Sequence, residues 1–145
     1  MKKTFQILIS MFLLCGCAYY SVSKDELLRQ LSGKEMTKNS FVWLPTGPMR
    51  YEANNLEKLL CQNKNGDTVW LYINQNTNLE IKTKNGKTKK AYFDTIILEN
   101  DKITGLRSRI IGIETVIPLD EIEEIKIYIE NGKVEKYEGK NKNAG

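Results

Sequence analysis

Residues 79–98 read LEIKTKNGKTKKAYFDTIIL and contain the clearest hairpin signal in the chain. Asn85-Gly86 is a dipeptide that tight hairpin turns favour, because their central residues need positive φ angles. In the arm before the turn, Lys82 and Lys84 alternate with Ile81 and Thr83, so the two lysines share one face. We therefore predict antiparallel strands at 79–84 and 89–98, joined by a turn at Asn85-Gly86-Lys87.

The rest of the chain from Leu56 onward repeats this pattern of short strands and turns. Strands are predicted at 56–62 and 68–74 around the glycine-containing loop 63–67, then at 102–109, 114–118 and 125–129, with one helical turn at 119–123. In the last strand Ile125, Ile127 and Ile129 alternate with polar neighbours, which indicates one buried face. Residues 56–60 also have a helical leucine spacing. The succession predicts a mainly β fold.

A short amphipathic helix is predicted at 24–31. Ser23 has the side chain of an N-cap, acidic residues follow it, and three leucines (Leu27, Leu28 and Leu31) form a stripe before Gly33. Such a helix either lies on a bilayer or packs on the domain. Because the stripe holds only three leucines, packing on the domain is favoured.

The N-terminus has the three parts of an export signal. Met1-Lys2-Lys3 is positively charged, residues 5–14 are apolar apart from Gln6 and Ser10, and small Gly16 precedes Cys17. This arrangement resembles a bacterial lipobox. The resemblance implies cleavage between Gly16 and Cys17, a diacylglycerol thioether on Cys17 and an N-acyl chain on its freed amine, which together anchor a protein stably.

Two alternatives to the lipobox remain open. Gly16-Cys17-Ala18 also fits an ordinary signal-peptidase site, which would release a soluble chain beginning at Tyr19. Uncleaved insertion is disfavoured, because the apolar run from Phe5 to Ala18 has 14 residues, short of the ~20 that a spanning helix needs.

The whole chain is similar to small bacterial lipoproteins, a resemblance that implies a location and no activity. In such lipoproteins an Asp directly after the lipidated cysteine retains the protein in the inner membrane. This chain has Ala18 at that position instead. The resemblance therefore implies a protein anchored in the cell envelope, on the periplasmic face of the outer membrane. The expected partners are the membrane, through the lipid, and an envelope protein.

We expect four segments in the chain. Residues 1–16 are the signal peptide, 17–50 a lipidated tether with the helix and a Pro-Gly turn, 51–138 a β domain, and 139–145 a charged, disordered tail. The 129 residues that remain after cleavage suit one domain.

Residues 79–128 resemble small Sm-like or SH3-like barrels in layout. The shared order is a strand, an Asn-Gly hairpin, a long bent strand with Asp94, a short strand, an Ile-Pro-Leu-Asp-Glu-Ile turn and an isoleucine-rich strand. The resemblance implies a small antiparallel barrel or a strongly bent sheet. RNA-binding members carry an Asn shortly after the Asp, whereas Thr95-Ile96-Ile97-Leu98 follows Asp94, which argues against RNA binding.

Charge also argues against nucleic acid as a partner. Without Lys2 and Lys3 the chain has 20 basic and 18 acidic side chains, whereas nucleic-acid binders carry a clear basic excess. Lysines do crowd the predicted hairpin, and four of them are candidate contacts to an anionic surface: Lys82, Lys84, Lys89 and Lys90. The favoured interpretation is a solvated hairpin whose lysines deter edge pairing.

The chain contains no histidine, which excludes Ser-His-Asp and Cys-His catalysis and His-ligated metal sites. Cys61 is the one cysteine left after cleavage and lipidation, so we expect a buried apolar residue rather than a reactive thiol. No metal or cofactor is expected apart from the acyl groups on Cys17. The leading hypothesis is a non-enzymatic anchored protein.

A second hypothesis is a ligand-binding or enzymatic module. Its site would lie around four aromatic residues: Trp43, Tyr51, Trp70 and Tyr72. Met49 would join Trp43 and Tyr51 along a cleft. The competing interpretation of these side chains is that they cap the core beside a Pro-Gly turn.

Overall fold

The computed structural model describes residues 18–139 as a mainly β chain with one helix. The predicted cleavage and lipidation positions, Gly16 and Cys17, and residues 140–145 of the predicted tail lie outside the described residues.

Residues 18–139 form twelve strands, one α-helix and two 3₁₀ turns. They are β1 (Tyr19–Ser21), α1 (Lys24–Leu31), β2 (Lys38–Leu44), β3 (Gly47–Ala53), β4 (Lys58–Gln62), β5 (Thr68–Tyr72), β6 (Thr77–Thr83), β7 (Thr88–Tyr92), a 3₁₀ turn (Phe93–Thr95), β8 (Ile97–Glu99), β9 (Lys102–Ser108), β10 (Ile113–Pro118), a second 3₁₀ turn (Leu119–Glu121), β11 (Ile122–Ile129) and β12 (Val134–Lys136).

These strands form three hydrogen-bonded sheets, and every strand pair is antiparallel. The main sheet has the order β12-β5-β4-β1-β11-β6-β7, the second has β10-β9-β8, and β2 with β3 forms the third. Between residues 18 and 139 no sheet closes on itself into a barrel. The prediction of a mainly β fold with one N-terminal helix is therefore confirmed, whereas the predicted barrel is not.

The helix packs on the domain, as its favoured interpretation predicts. Ser23 caps it by accepting from the backbone N–H of Glu26 at 3.2 Å. Leu27 and Leu31 are buried in the main core. Burying two such side chains contributes roughly 1.5–3 kcal/mol each, which stabilises a helix too short to persist alone.

Residues 19–31 differ from the predicted tether. Strand β1 lies inside the main sheet, with Tyr20 opposite Ile127 of β11 and Ser21 opposite Gln62 of β4. A strand between two neighbours has its backbone polar groups paired on both sides. The folded domain therefore includes residues 19–31 and does not start near residue 51.

The hairpin of residues 77–92 confirms the Asn-Gly prediction. Ile81 and Thr83 are buried while Lys82 and Lys84 are exposed. The prediction of one long strand at 89–98, however, is wrong. It ends at Tyr92, and the chain turns through Phe93–Thr95 before β8 joins another sheet.

The side chain of Thr95 explains this break. Its hydroxyl donates to the carbonyl of Tyr92 at 2.8 Å and accepts from the N–H of Leu106 at 2.9 Å. Side-chain bonds to nearby backbone compete with a strand ladder. A 3₁₀ turn therefore replaces the predicted continuous strand at this point.

Strands β2 and β3 form a two-stranded hairpin around Pro45-Thr46, where a tether with a Pro-Gly turn is predicted. Gly47 has a φ of 124°, which suits glycine after the turn. The hairpin is joined to the body at its base, where the N–H of Asn54 donates to the carbonyl of Asp94 at 2.6 Å.

The other predicted strands are present within one to three residues of their expected bounds. The 56–62 segment is a strand from Lys58, not a helix, and 119–121 forms the predicted helical turn. In β11 the predicted inward residues Ile125, Ile127 and Ile129 are all buried.

Candidate functional site

Asp94 is the centre of a polar junction between distant parts of the chain. It lies in the 3₁₀ turn after β7, and its carboxylate accepts from two donors. Arg109, just after β9, donates from Nη2 to Oδ1 at 2.6 Å, and Tyr51 of β3 donates from its hydroxyl to Oδ2 at 2.5 Å. The junction therefore ties the β2–β3 hairpin, the turn and the end of β9 together.

The guanidinium of Arg109 is held between aromatic rings. Its central carbon lies 3.7 Å from the ring centroid of Tyr92 and 4.7 Å from that of Tyr51. Nη2 also donates to the carbonyl of Gln75 at 2.9 Å. Nε is buried without a hydrogen-bond partner within residues 18–139. Cation–π contact and ion pairing together offset the cost of burying this charge.

Tyr51 is a hydrogen-bond donor and stays protonated at neutral pH. Burial, reinforced by the hydrogen bond to Asp94 and by that carboxylate's charge, raises the pKa of Tyr51 to about 12. A phenol with this pKa is a poor general acid or base at pH 7, because catalytic groups work best with a pKa near the operating pH.

Asn54 stabilises the turn that presents Asp94. Its side-chain amide is buried and donates to the carbonyls of Phe93 at 2.9 Å and Ile96 at 3.0 Å. The carbonyl oxygen of the same side chain accepts from the N–H of Leu56 at 3.2 Å. Each bond to a buried backbone group avoids an unpaired polar atom, so the carboxylate is positioned by a satisfied network.

An open cleft of about 390 Å³ borders the junction. Tyr51 and Asp94 line one part of it, Ser40 and Phe41 of β2 another, and Gln75 a third. Both carboxylate oxygens of Asp94 already accept hydrogen bonds, and no nucleophile lies beside a free base here. The arrangement therefore supplies polar contacts and no activated group. Within the described part of the chain, no three Cys, Asp or Glu side chains come together as a metal site.

The four predicted lysines divide between the two faces of the β6–β7 hairpin. Lys82 pairs with Glu123 at 3.6 Å, and Lys90 pairs with Glu80 at 3.1 Å. Lys89 instead faces β10, where its Nζ donates to the carbonyl of Val116 at 2.8 Å.

Lys84 is exposed at the end of β6, beside the turn. Carboxylates thus offset the charge of two of the four lysines, and a neutral carbonyl accepts from a third, so the hairpin presents less free positive charge than its sequence indicates.

The four predicted aromatic residues do not form one site. Trp43 projects from the β2–β3 hairpin into solvent, and Tyr51 belongs to the junction. Trp70 lies on β5 with its ring centroid 6.1 Å from that of Tyr137. Tyr72 contacts Lys133, whose Nζ is 4.4 Å from the ring centroid. Trp70 and Tyr72 are two positions apart on β5 and share one face, so the four aromatic residues lie on three separate surfaces.

Cys61 is a buried apolar residue of β4, as predicted. Its side chain belongs to the main core, and burial raises the pKa of the thiol to about 12. At neutral pH it carries a negligible fraction of thiolate, which is the reactive form.

Sequence reasoning did not identify the role of Arg109. Its partner did carry a signal, because Asp94 is the one charged residue in the mostly apolar run 91–98, where an acidic side chain needs a compensating donor. Which of the basic residues supplies that donor depends on how the second sheet folds over the first.

Comparisons with protein-family models, with curated proteins and with solved structures find no match to this chain. Across residues 18–139, α1 is the only helix apart from the two 3₁₀ turns, and it is far too short to cross a membrane.

Proposed function

We propose that this chain is a non-enzymatic envelope lipoprotein, anchored through acyl chains on Cys17 and presenting its β domain for contacts at the periplasmic face of the outer membrane. The observation that carries the proposal is the run from Met1-Lys2-Lys3 through the apolar residues 5–14 to Gly16-Cys17. Two or more acyl chains on that residue hold a domain stably at a bilayer.

The start of the domain is compatible with such an anchor. Only Ala18 separates Cys17 from Tyr19, which pairs with Tyr128 inside the main sheet. Two residues span at most about 7 Å. A lipid on Cys17 would therefore hold the Tyr19 end of β1 close to the membrane surface.

The chemistry of the junction supports the non-enzymatic part of the proposal. Asp94 is committed to Tyr51 and Arg109, and the pKa of Tyr51 is raised away from neutrality. The buried thiol of Cys61 is likewise unsuited to nucleophilic attack. The polar groups of the junction thus stabilise the architecture of the domain.

For the segment 77–129 we propose an open relative of the Sm-like or SH3-like layout. Support comes from the order of its elements: an Asn-Gly hairpin, a short 3₁₀ turn and the long strand β11 after a second 3₁₀ turn at Leu119–Glu121. In this layout two hydrogen-bonded sheets, with the strands β11-β6-β7 and β10-β9-β8, take the place of a closed barrel.

The competing function is that of a ligand-binding module, and one observation supports it. The cleft beside Tyr51 has a volume of about 390 Å³, within the range of small-molecule sites. A ligand held there would contact Ser40 and Gln75. A screen of small polar ligands by thermal shift, repeated on Ser40→Trp to fill the cleft, would separate this function from passive anchoring.

The anchor is tested by Cys17→Ser with Cys15→Ser as the matched control. We expect wild type and Cys15→Ser to sediment with membranes and to carry acyl mass on a mature N-terminus that starts at Cys17. Cys17→Ser should appear as an unprocessed precursor or a soluble chain. If Cys17→Ser is processed and still sediments like wild type, or if the wild-type chain starts at Tyr19, the anchor is wrong.

A further inference from the structure

A row of side chains crosses four strands from the start of the domain to the junction. Tyr19 of β1 lies opposite Tyr128 of β11, Tyr128 opposite Asn78 of β6, and Asn78 opposite Tyr92 of β7. Directly paired residues share a face, and adjacent strands lie about 4.8 Å apart. Tyr92, under the guanidinium of Arg109, is therefore roughly 14 Å from Tyr19.

The loop that follows Arg109 is strongly apolar and exposed. Ile110 and Ile111 have 64% and 70% of their surface exposed, and Ile113 at the start of β10 has 37%. Three isoleucines within four positions of a solvent-facing loop are costly in water, since each exposed side chain forgoes its burial energy. Clustered exposure of this kind marks a contact surface.

A second apolar group lies on the hairpin that joins the same junction. Phe41 and Trp43 alternate along β2 on its outer face, with 54% and 73% of their surface exposed. Phe41 follows Ser40, which is the register partner of Tyr51. Phe41 and Gln75 both line the cleft beside the junction. Arg109 contacts both Tyr51 and Gln75. The two exposed groups therefore flank one junction.

Basic side chains accompany this end of the domain. Lys64 and Lys126 lie with their Nζ atoms 5.5 Å and 5.3 Å from the ring centroid of Tyr19, and Lys126 also pairs with Glu124 at 3.5 Å. Arg50 is the register partner of Phe41 and is exposed. Tryptophan at the level of lipid headgroups, with cations beside it, is the usual composition of a membrane interface.

We infer that the apolar rim, defined as Phe41, Trp43, Ile110, Ile111 and Ile113, inserts into the interfacial region of the bilayer to which Cys17 is anchored. This inference rests on the proposed lipid anchor, because that anchor holds Tyr19 within about 7 Å of the acylated residue. The occupant is a phospholipid surface, and the rim orients the domain relative to it. The Asn85-Gly86 turn, which begins seven residues after Asn78 and lies beyond the end of β6, then faces away from the membrane.

The test compares the chemical accessibility of two exposed positions in the lipidated protein. Ile111→Cys places a thiol in the rim, and Lys84→Cys places one at the other end of β6, about 20 Å from Asn78. The buried Cys61 supplies an unreactive background. Each purified, lipidated variant is inserted into preformed vesicles of phosphatidylethanolamine and phosphatidylglycerol and reacted with a membrane-impermeant maleimide. The measurement is repeated after detergent is added.

Insertion predicts that vesicles slow the labelling of Ile111→Cys about tenfold relative to detergent, while Lys84→Cys reacts equally in both. Equal labelling of Ile111→Cys in vesicles and detergent overturns the inference. Co-flotation with the vesicles and the acyl mass on Cys17 measure the anchor independently of labelling. Equal labelling therefore leaves the proposed anchor intact.

If acyl mass is absent, the proposed anchor fails instead. The same two variants are then mixed with the same vesicles as released chains. If the vesicles slow the labelling of Ile111→Cys but not of Lys84→Cys, the apolar rim is still a lipid contact. If both variants are labelled equally, the inference that the rim contacts lipid is overturned.

Discussion

Arg109 donates from Nη2 to Oδ1 of Asp94 at 2.6 Å, and the two side chains are only 6% and 11% exposed. This buried ion pair joins the end of β9 to the turn after β7, so it connects the second sheet to the main one. Tyr51 closes the same junction from the β2–β3 hairpin. Three separate sheets thus depend on one carboxylate.

Arg109→Met should lower the free energy of unfolding by about 3–5 kcal/mol, because it leaves the Asp94 carboxylate buried with one donor lost. Urea denaturation followed by circular dichroism measures this. Adding Asp94→Asn to Arg109→Met should cost less than the sum of the two single changes, since both remove the same interaction.

Lys82→Met is the control for that experiment. Lys82 pairs with Glu123 at 3.6 Å with both side chains 49% exposed, and such surface pairs contribute at most about 1 kcal/mol. Comparable losses for Arg109→Met and Lys82→Met would contradict the assignment of the junction as the main polar connection.

The raised pKa of Tyr51 predicts a loss of stability at alkaline pH. The folded state keeps the phenol protonated up to about 12, while the unfolded state releases the proton near 10.0. The stabilisation is therefore fully present below pH 10 and is lost as the pH rises from 10 to 12.

Unfolding free energies of wild type and Tyr51→Phe at pH 9 and pH 11 should reveal this difference. Cys61 also has a raised pKa, but it is present in both proteins and its effect cancels. Wild type should lose more stability than Tyr51→Phe over this interval. Equal losses would show that Tyr51 is not the titrating group.

Cys61 should react with a thiol reagent only after unfolding. A rise of its pKa from 9.0 to about 12 reduces the thiolate roughly 10³-fold at pH 8, and burial blocks access as well. Colorimetric thiol titration should detect no fast reaction in buffer and rapid reaction in concentrated urea. Equal rates in both solvents would mean that β4 opens readily or that Cys61 is exposed.

Gly105→Ala should destabilise the contact between β9 and the main core. A Cβ at this position would lie 2.8 Å from Cγ2 of Ile96 and 3.0 Å from Cβ of Ala91. Overpacking of this kind costs about 1–3 kcal/mol, measurable as a lower urea midpoint. Gly139→Ala meets its nearest atom at 3.4 Å and should change stability by less than about 0.5 kcal/mol. A neutral Gly105→Ala would contradict the close packing.

Replacing the four hairpin lysines (Lys82, Lys84, Lys89 and Lys90) by Gln should change vesicle binding little. Three of them have acidic or carbonyl partners within the domain, and exposed pairs are screened by salt. Flotation with anionic vesicles at low and high salt provides the measurement. A large, salt-dependent loss of binding in the fourfold variant would instead support the anionic-surface contact predicted from sequence.

Several elements were predictable because their causes are local. Ser23 with its following acids marks the helix start, and Asn85-Gly86 marks a turn whichever sheet surrounds it. The alternation in Ile125, Ile127 and Ile129 identifies the buried face of β11 without knowledge of its neighbours.

The 3₁₀ turn at Phe93–Thr95 was missed for a different reason. Strand propensity favours a continuous strand there, but Thr95 and Asp94 find partners in Leu106, Tyr51 and Arg109. These bonds exist only after β3 and β9 have packed, so no local pattern could reveal them. Tertiary contacts override propensity in such segments.

From sequence alone came the mainly β composition, the single short helix, the principal turns and the burial of Cys61, because each depends on residues close along the chain. Tertiary structure alone decided that β1 belongs inside the main sheet, that Asp94 takes Arg109 as its partner, and that Trp43 and Trp70 serve different surfaces. Those outcomes depend on which distant strands pair, and pairing is set by the total free energy of burial and hydrogen bonding over the whole domain.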